Sequence, residues 1–253
     1  MSLSGKVAIV SGAAQGLGRA FAERLVRAGM SVLAFDVKDD VTRIEGATGV
    51  IADVSKRDDV EKITSQAAGM GDVAVVVNNA GTWKKTPVDS GWDQALADWD
   101  FIMDTNLKGV LMLSRAAVPH LRSAGGGHII NISTYYVLPA KSDGTNQSDT
   151  DLYNASKWAL NGYTDAWAKY LAKDNINVNG MCMGAVDTPM LRGLFPDNEL
   201  PADLKSVVMQ DADIAQQMMD IIESGRTGEN FGAWVGEPIS IGEQPPLHKR
   251  ITG

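Results

Sequence analysis

Short apolar runs rich in Val, Ile and Ala alternate along this chain with longer stretches whose apolar residues recur at helical spacing. Residues 7–10, 31–35, 49–51, 73–77, 128–132 and 176–180 read as strands, and a seventh strand is expected between 233 and 241. Residues 17–28, 58–68, 99–123 and 152–172 read as helices. Strands this uniformly apolar belong to a sheet buried on both sides. The pattern therefore predicts an α/β fold: a doubly wound, parallel sheet of about seven strands with helices on both faces. Gly29 stands where a left-handed residue would close the first helix, and Ser55 where a side-chain oxygen would cap the second.

Two stretches break the rhythm. Residues 142–151, Ser-Asp-Gly-Thr-Asn-Gln-Ser-Asp-Thr-Asp, are polar enough to form a surface excursion. Residues 187–213 mix Pro189, Pro196 and Pro201 with Met190, Leu191, Leu194 and Phe195, which predicts a short helical flap over a site. No linker or repeat divides the chain, so residues 1–253 are expected to form a single domain.

Composition narrows the classes of function. No run approaches the ~20 apolar residues of a membrane span, and the first residues lack the basic-then-apolar design of a signal peptide, so a cytoplasmic protein is expected. A net charge of −8 disfavours nucleic acid as a partner. Cys182 is the only cysteine, and His120, His128 and His248 have no ligand-like spacing. Neither an intramolecular disulfide nor a metal site is expected.

The first strand leads directly into Ser-Gly-Ala-Ala-Gln-Gly-Leu-Gly over residues 11–18. Gly12, Gly16 and Gly18 would let the backbone turn tightly and approach a pyrophosphate, with the following helix N-terminus attracting its charge. Their spacing, Gly-x-x-x-Gly-x-Gly, departs from the Gly-x-Gly-x-x-Gly fingerprint, but strand, loop, helix and second strand come in the required order. Asp36 ends the second strand, where its carboxylate can accept from a ribose and repel a 2′-phosphate. NAD is thus expected over NADP. Gln15 and Val37 supply no cation for such a phosphate, and Lys38 is the one nearby charge that would. Asp53 can either meet an adenine amino group or cap a helix.

At the opposite end of the chemistry, Asn78, Asn79, Ala80 and Gly81 follow the fourth strand, and Ser133 follows the fifth. Asn106 lies on the long helix between them. Tyr153 and Lys157 are four residues apart, on one face of a helix. An ammonium there would favour the phenolate, drawing Tyr153 from about 10 toward the working pH as a general acid/base.

In this order the motifs over about residues 5–228 resemble the short-chain dehydrogenase/reductase family, in its single-domain branch, with a Rossmann fold. The resemblance implies that Gly12, Gln15, Gly16, Leu17 and Gly18 border the pyrophosphate, Asp36 the ribose, and Asp53 and Val54 the adenine. It places Asn79, Ala80, Gly81, Val186 and Thr188 along the rest of the cofactor. It also implies a catalytic tetrad of Asn106, Ser133, Tyr153 and Lys157. In that mechanism Tyr153 exchanges the proton, Ser133 holds the substrate oxygen, Lys157 contacts the nicotinamide ribose and keeps Tyr153 acidic, and Asn106 helps to place a relay water. The implied activity is an NAD-dependent alcohol dehydrogenase or ketoreductase acting on a small secondary alcohol or ketone. A homotetramer, with 99–123 and 152–172 packing across subunits, follows from the same resemblance.

Three departures from the family stand out. The gap from Ser133 to Tyr153 is wider than usual, with 142–151 supplying the excess as an expected rim to the substrate entrance. Met183-Gly184 replaces Pro-Gly after the sixth strand. The usual Asp-Gly-Gly near the C-terminus is missing, and the tail that replaces it would either reach a neighbouring subunit or fray. Substrate contacts are expected from Ser133, Tyr135, Tyr153, Met183 and Met190, with Trp83, Tyr136, Leu191, Leu194 and Phe195 as further walls, suiting an apolar, ring-bearing substrate. Lys84, Lys85 and Lys141 would instead suit an anion. Two other readings compete: a non-catalytic nucleotide-binding regulator on the same fold, and an enoyl reductase, for which the Tyr153–Lys157 spacing beside Ser133 is a poorer fit.

Overall fold

Alternating side chains on each central strand feed two separate apolar layers. On β1 (Val7–Ser11), Ala8 and Val10 face one side while Val7 and Ile9 face the other. The computed structural model describes residues 3–138 and 147–244. It contains a parallel seven-stranded sheet in the order β3-β2-β1-β4-β5-β6-β7. The remaining strands are β2 (Ser31–Asp36), β3 (Ala47–Ile51), β4 (Val73–Asn78), β5 (Gly127–Ile132), β6 (Ile176–Met183) and β7 (Asn230–Ala233). The helices are α1 (Gly16–Arg27), α2 (Arg57–Met70), α3 (Trp92–Met103), α4 (Val110–Ser123), α5 (Asp151–Leu171), α6 (Pro189–Arg192), α7 (Ala202–Lys205) and α8 (Asp211–Ser224).

One face of the sheet is covered by α1 and α8 through Phe21, Leu25, Ile214 and Met218, the other by α2, α4 and α5 through Ile63, Leu113, Leu121 and Leu171. The chain runs outward from β1 to β3, returns to β4 beside β1, and then runs outward to β7. That reversal opens a crevice at the carboxyl ends of β1 and β4, where open α/β sheets bind ligands. No helix among the described residues is long and apolar enough to cross a membrane.

Several expectations need correction. The seventh strand lies at Asn230–Ala233, ahead of most of the 233–241 window. β6 runs on to Met183, and its last four residues, from Gly180, need this partner; a Cβ on Gly180 would lie 2.1 Å from Asn230 Oδ1, so glycine sets the close approach. Ser55 caps nothing, because the helix starts later, with Lys56 at the N-cap. Two carboxylates close that turn instead: Asp53 Oδ1 accepts from Ser55 N at 2.8 Å and Asp59 Oδ2 from Asp53 N at 3.0 Å. The helix expected at 99–123 begins at Trp92 and is interrupted by a π-helical turn, Asp104–Gly109. Helix α8 was not anticipated, although Ile214, Ala215, Met218, Met219, Ile221 and Ile222 carry its buried stripe. Gly29 behaves as expected, at φ +81°.

The helices on the second face are registered by polar groups as well as by packing. Asn78 and Asn131 are partners across β4 and β5. Asn78 Nδ2 donates to Asn131 Oδ1 and to Ser114 Oγ, both at 2.9 Å, while Asn131 Nδ2 donates to Thr164 Oγ1 at 3.0 Å. All four residues are buried, so the chain ties α4 and α5 to the two strands that carry the loops of the site. Replacing Asn131 with Ala removes the bridging acceptor and donor together. Chemical denaturation should show a loss of about 2–4 kcal/mol, the range for opening a buried network.

Candidate active site

The glycine loop after β1 is held against the loop after β4 by two reciprocal side chains. Asn79 Nδ2 donates to the carbonyls of Ser11 and Gly12 at 3.0 and 2.9 Å. Ser11 Oγ accepts from the backbone of Asn79 and Ala80 at 3.0 and 3.1 Å and donates to Val77 O at 3.2 Å. Gly12 is at φ +66°, and a Cβ there would lie 2.6 Å from Ala80 Cα; one on Gly18 would lie 2.1 Å from Gly12 O. Only glycine permits this packing. The first turn of α1 has no acidic residue and no side-chain cap, leaving its amides for an anion.

Asp36 is fixed at the end of β2, with Oδ2 accepting from Ala14 N and Oδ1 from Lys38 N, both at 3.0 Å. Lys38 Nζ donates to Gln15 Oε1 at 3.0 Å. A cradle free of side chains at a helix N-terminus, beside an oriented carboxylate, fits the pyrophosphate and ribose of a dinucleotide. Asp53 and Val54 stand outside the lining of this cleft. Asp53 is occupied in its own turn, and Val54 packs where a Cβ on Gly109 would meet it at 2.8 Å.

From the glycine loop a cleft of about 460 Å³ continues past Asn79, Ala80 and Gly81 to Ser133, Tyr153 and Lys157. Lys157 is buried, and its ammonium donates to Ile132 O at 2.8 Å. It lies 5.8 Å from the centre of the Tyr153 ring. No carboxylate among the described residues pairs with it, and burial pulls its pKa down to about 8. Tyr153 keeps one edge open to the cleft and is otherwise enclosed. Burial pushes its phenol above the ordinary tyrosine value, Tyr136 adds to the rise, and a hydrogen bond from the Thr134 side chain opposes it.

The expectation that Lys157 draws Tyr153 down is therefore corrected for the ligand-free cleft. Desolvation of the phenolate outweighs the nearby charge. Ser133 Oγ donates a long hydrogen bond to Lys157 O at 3.4 Å and also engages the Cys182 thiol, which burial nonetheless pushes up to about 12.

Asn106 is fully buried in the π-helical turn and does not border the cleft. Its Oδ1 accepts from Thr82 N at 2.7 Å, while its Nδ2 donates to Thr82 O at 2.9 Å and to Ser156 Oγ at 3.1 Å. Ser156 Oγ donates in turn to Tyr153 O at 2.7 Å. Asn106 thus ties the loop after β4 to the turn of α5 that carries Tyr153 and Lys157. A Cβ on Gly81 would meet both Asn106 Oδ1 and Lys157 Nζ, at 3.5 and 3.6 Å.

The far end of the cleft is walled by Trp83, Tyr135, Tyr136, Met183, Met190, Leu191 and Leu194, but not by Phe195. Val186 and Thr188 also line it. Thr188 Oγ1 accepts from Leu191 N at 3.3 Å, capping α6, and Asp187 holds Arg192 through two hydrogen bonds of 2.6 and 2.8 Å. Lys84 and Lys85 do not face the cleft as free cations. Lys84 bonds to the buried carboxylate of Asp98 and Lys85 pairs with Asp149 at 2.8 Å. Lys141 and residues 142–146 of the polar run lie outside the described residues.

The end of that run is described. Gln147 borders the cleft, and Thr86 donates to Asp149 O and to Asp151 Oδ1, both at 2.6 Å, stapling the segment to the loop after β4. Thr150 bridges to Thr86 and Asp151 already belongs to α5, so these two residues are part of the frame. Thr82, Thr134, Gln147 and Ser156 were not singled out from the sequence. Thr134 adjoins Ser133, and Ser156 sits between Tyr153 and Lys157; Thr82 and Gln147 carry no local signal.

The seven-stranded parallel sheet, with its cleft at the carboxyl edge, is a Rossmann-type fold. A family model described as short chain dehydrogenase matches residues 6–199, and the chain belongs to that family. It is 32% identical over 204 residues to a 3-oxoacyl-[acyl-carrier-protein] reductase of Thermotoga maritima, covering 77% of this chain and 79% of that one. A 3-ketoacyl-(acyl-carrier-protein) reductase from Brucella melitensis complexed with NADH superposes with a TM-score of 0.78 at 26% identity, over 93% of this chain and 99% of that one. A Beutenbergia cavernae chain with bound NADP gives a TM-score of 0.79 at 27% identity, over 91% and 96%.

The buried ammonium has a measurable cost. The unfolded chain keeps Lys157 near its ordinary 10.5 while the folded chain holds it at about 8, so between those values the unfolded state binds more protons and stability rises with pH. Below about 8 the full penalty applies. Replacing Lys157 with Met should stabilise the ligand-free protein near neutral pH by about 1–3 kcal/mol. The gain should shrink as the pH climbs toward 10.5. Thermal unfolding of both proteins across this range checks it, with the contribution of Tyr153 common to both.

Proposed function

We propose that this chain is an NAD(H)-dependent alcohol dehydrogenase or ketoreductase in which Tyr153 is the general acid/base. The observation that carries the reading is the single cleft onto which the glycine loop, Asp36, Ser133, Tyr153 and Lys157 all open. Gly12, Gly16, Leu17 and Gly18 would hold the pyrophosphate and Asp36 the ribose. Val186 and Thr188 would meet the nicotinamide end. When bound, the nicotinamide supplies or accepts the hydride.

The proton belongs to the protein. Burial keeps it on Tyr153 at neutral pH, so the phenol is set to donate to a carbonyl oxygen; in the reverse direction the same oxygen takes the alcohol proton. Ser133, whose hydroxyl is only weakly engaged, holds the substrate oxygen. Lys157 offsets the charge that develops on Tyr153. Asn106 acts as a positioning residue through Thr82 and Ser156. The apolar far wall suits a secondary alcohol or ketone bearing a ring.

NAD is favoured over NADP because the Asp36 carboxylate would repel a 2′-phosphate, and Lys38, the nearest cation, is engaged with Gln15. A homo-oligomer, most simply a tetramer, would cover the aromatic outer face of α3, where Trp92 is 85% exposed beside Leu96 and Trp99, together with Trp158 on α5. We place the protein in the cytoplasm, which suits its buried, unpaired Cys182.

Tyr153→Phe should lower kcat by about 10²–10⁴-fold, the usual worth of a general acid, while NADH fluorescence titration shows binding largely retained. Direct titration of both cofactors should show NAD binding more tightly than NADP; the opposite order would refute the role given to Asp36.

A further inference from the structure

Asn161 follows Tyr153 and Lys157 at the same four-residue step, on one side of α5. It is buried and does not border the cleft. Its Nδ2 donates to Val137 O at 3.2 Å, whereas its Oδ1 has no partner among the described residues. A buried acceptor left unsatisfied costs stability, so packing alone gives no reason for an amide here. What the amide does have is a hold on one backbone carbonyl.

That carbonyl ends the short turn Tyr135–Val137, which supplies Tyr135 and Tyr136 to the wall of the cleft. The turn is closed on itself, with Val137 N donating to Thr134 O at 3.2 Å and Leu138 N to Tyr135 O at 3.0 Å. Its two rings form one unit, with centres 4.7 Å apart and a hydrogen bond between the side chains. Trp234 meets Tyr135 edge-on at 6.4 Å. Ahead of the turn, Lys157 Nζ donates to Ile132 O, Ser133 Oγ donates to Lys157 O, and the Thr134 side chain is hydrogen-bonded to Tyr153. Helix α5 therefore grips the segment leaving β5 on both sides of the turn, with Tyr153 and Lys157 before it and Asn161 after it. With both ends tied to one helix, the paired rings stand at a set distance from the Tyr153 phenol. Releasing Val137 O frees the far end, and the two rings would shift together.

We propose that Asn161 is a positioning residue: by holding Val137 O it fixes the gap between the Tyr135–Tyr136 wall and Tyr153, and so sets how tightly a ring-bearing ketone or alcohol is seated. It acts through the wall and does not itself border the substrate space. This inference rests on the carbonyl–alcohol reading above.

The test is steady-state reduction of cyclohexanone and the bulkier 2-tetralone, with NADH, by the unmodified protein, Asn161→Leu and Asn161→Ala. Leucine removes the donor at similar volume, and alanine removes it with the least disturbance of a helix. Each variant should raise KM for the ring ketone by roughly fivefold or more, with kcat at saturation and NADH affinity by fluorescence titration within about threefold of the unmodified protein. An unchanged KM in a folded variant overturns the role of Asn161 while leaving ketone reduction standing. So does a joint fall of kcat, ketone affinity and NADH affinity, or the failure of both variants to fold, since each marks the residue as a support of the whole fold. An unmodified protein that binds NADH but reduces neither ketone overturns this inference together with the reading it rests on.

Discussion

The site depends on the stitch between the loops after β1 and β4. Asn79 donates to the carbonyls of Ser11 and Gly12 while Ser11 accepts from the backbone of Asn79 and Ala80, so each loop satisfies the polar groups of the other. Buried backbone groups at strand ends need such partners. The stitch succeeds only because no Cβ intervenes at Gly12 or Gly18. The glycines thus do two things at once: they clear a cradle at the N-terminus of α1, and they let the half of the crevice proposed to hold the nucleotide lock onto the half that carries Ser133, Tyr153 and Lys157. The Asn78–Asn131 pair one residue deeper, with Ser114 and Thr164, extends the same logic to α4 and α5.

On that frame the electrostatics are set by burial. Lys157 is held by a carbonyl and by no carboxylate among the described residues, and Tyr153 is pushed up, not down. In the ligand-free cleft desolvation prevails and the phenol keeps its proton. That state is the acid needed to protonate a carbonyl. In the proposed reaction the ammonium would gain importance as negative charge grows on the phenol oxygen, since attraction in a buried site is little screened.

The fold was legible because strand runs uniform in Val, Ile and Ala signal a sheet covered on both sides, and six strands fall where the runs lie. The seventh was misplaced because its partner choice is tertiary: Gly180 on β6 admits Asn230, and no local pattern in Asn-Phe-Gly-Ala announces this. Helix α8 was hidden by prolines just upstream that made the whole region read as irregular. Of the expected site residues, those after the first, second, fourth and fifth strands border one cleft, whereas Asp53 and Val54 after the third do not. Asn106, expected in the tetrad, lies behind the cleft with its side chain spent on Thr82 and Ser156, a partnership set by the π-helical turn. Lys84 and Lys85 looked available for an anion because Asp98 and Asp149, far along the chain, are invisible as partners in sequence.

The reaction proposed for this cleft is hydride transfer between a carbonyl and a nicotinamide, with the proton supplied by the protein. Its most direct measurement is the absorbance of NADH mixed with the protein and a panel of small ring ketones, with product alcohol quantified alongside. NADH loss should be matched one-for-one by alcohol formed. NADH that binds but is never consumed with any ketone, or loss without alcohol, would contradict it.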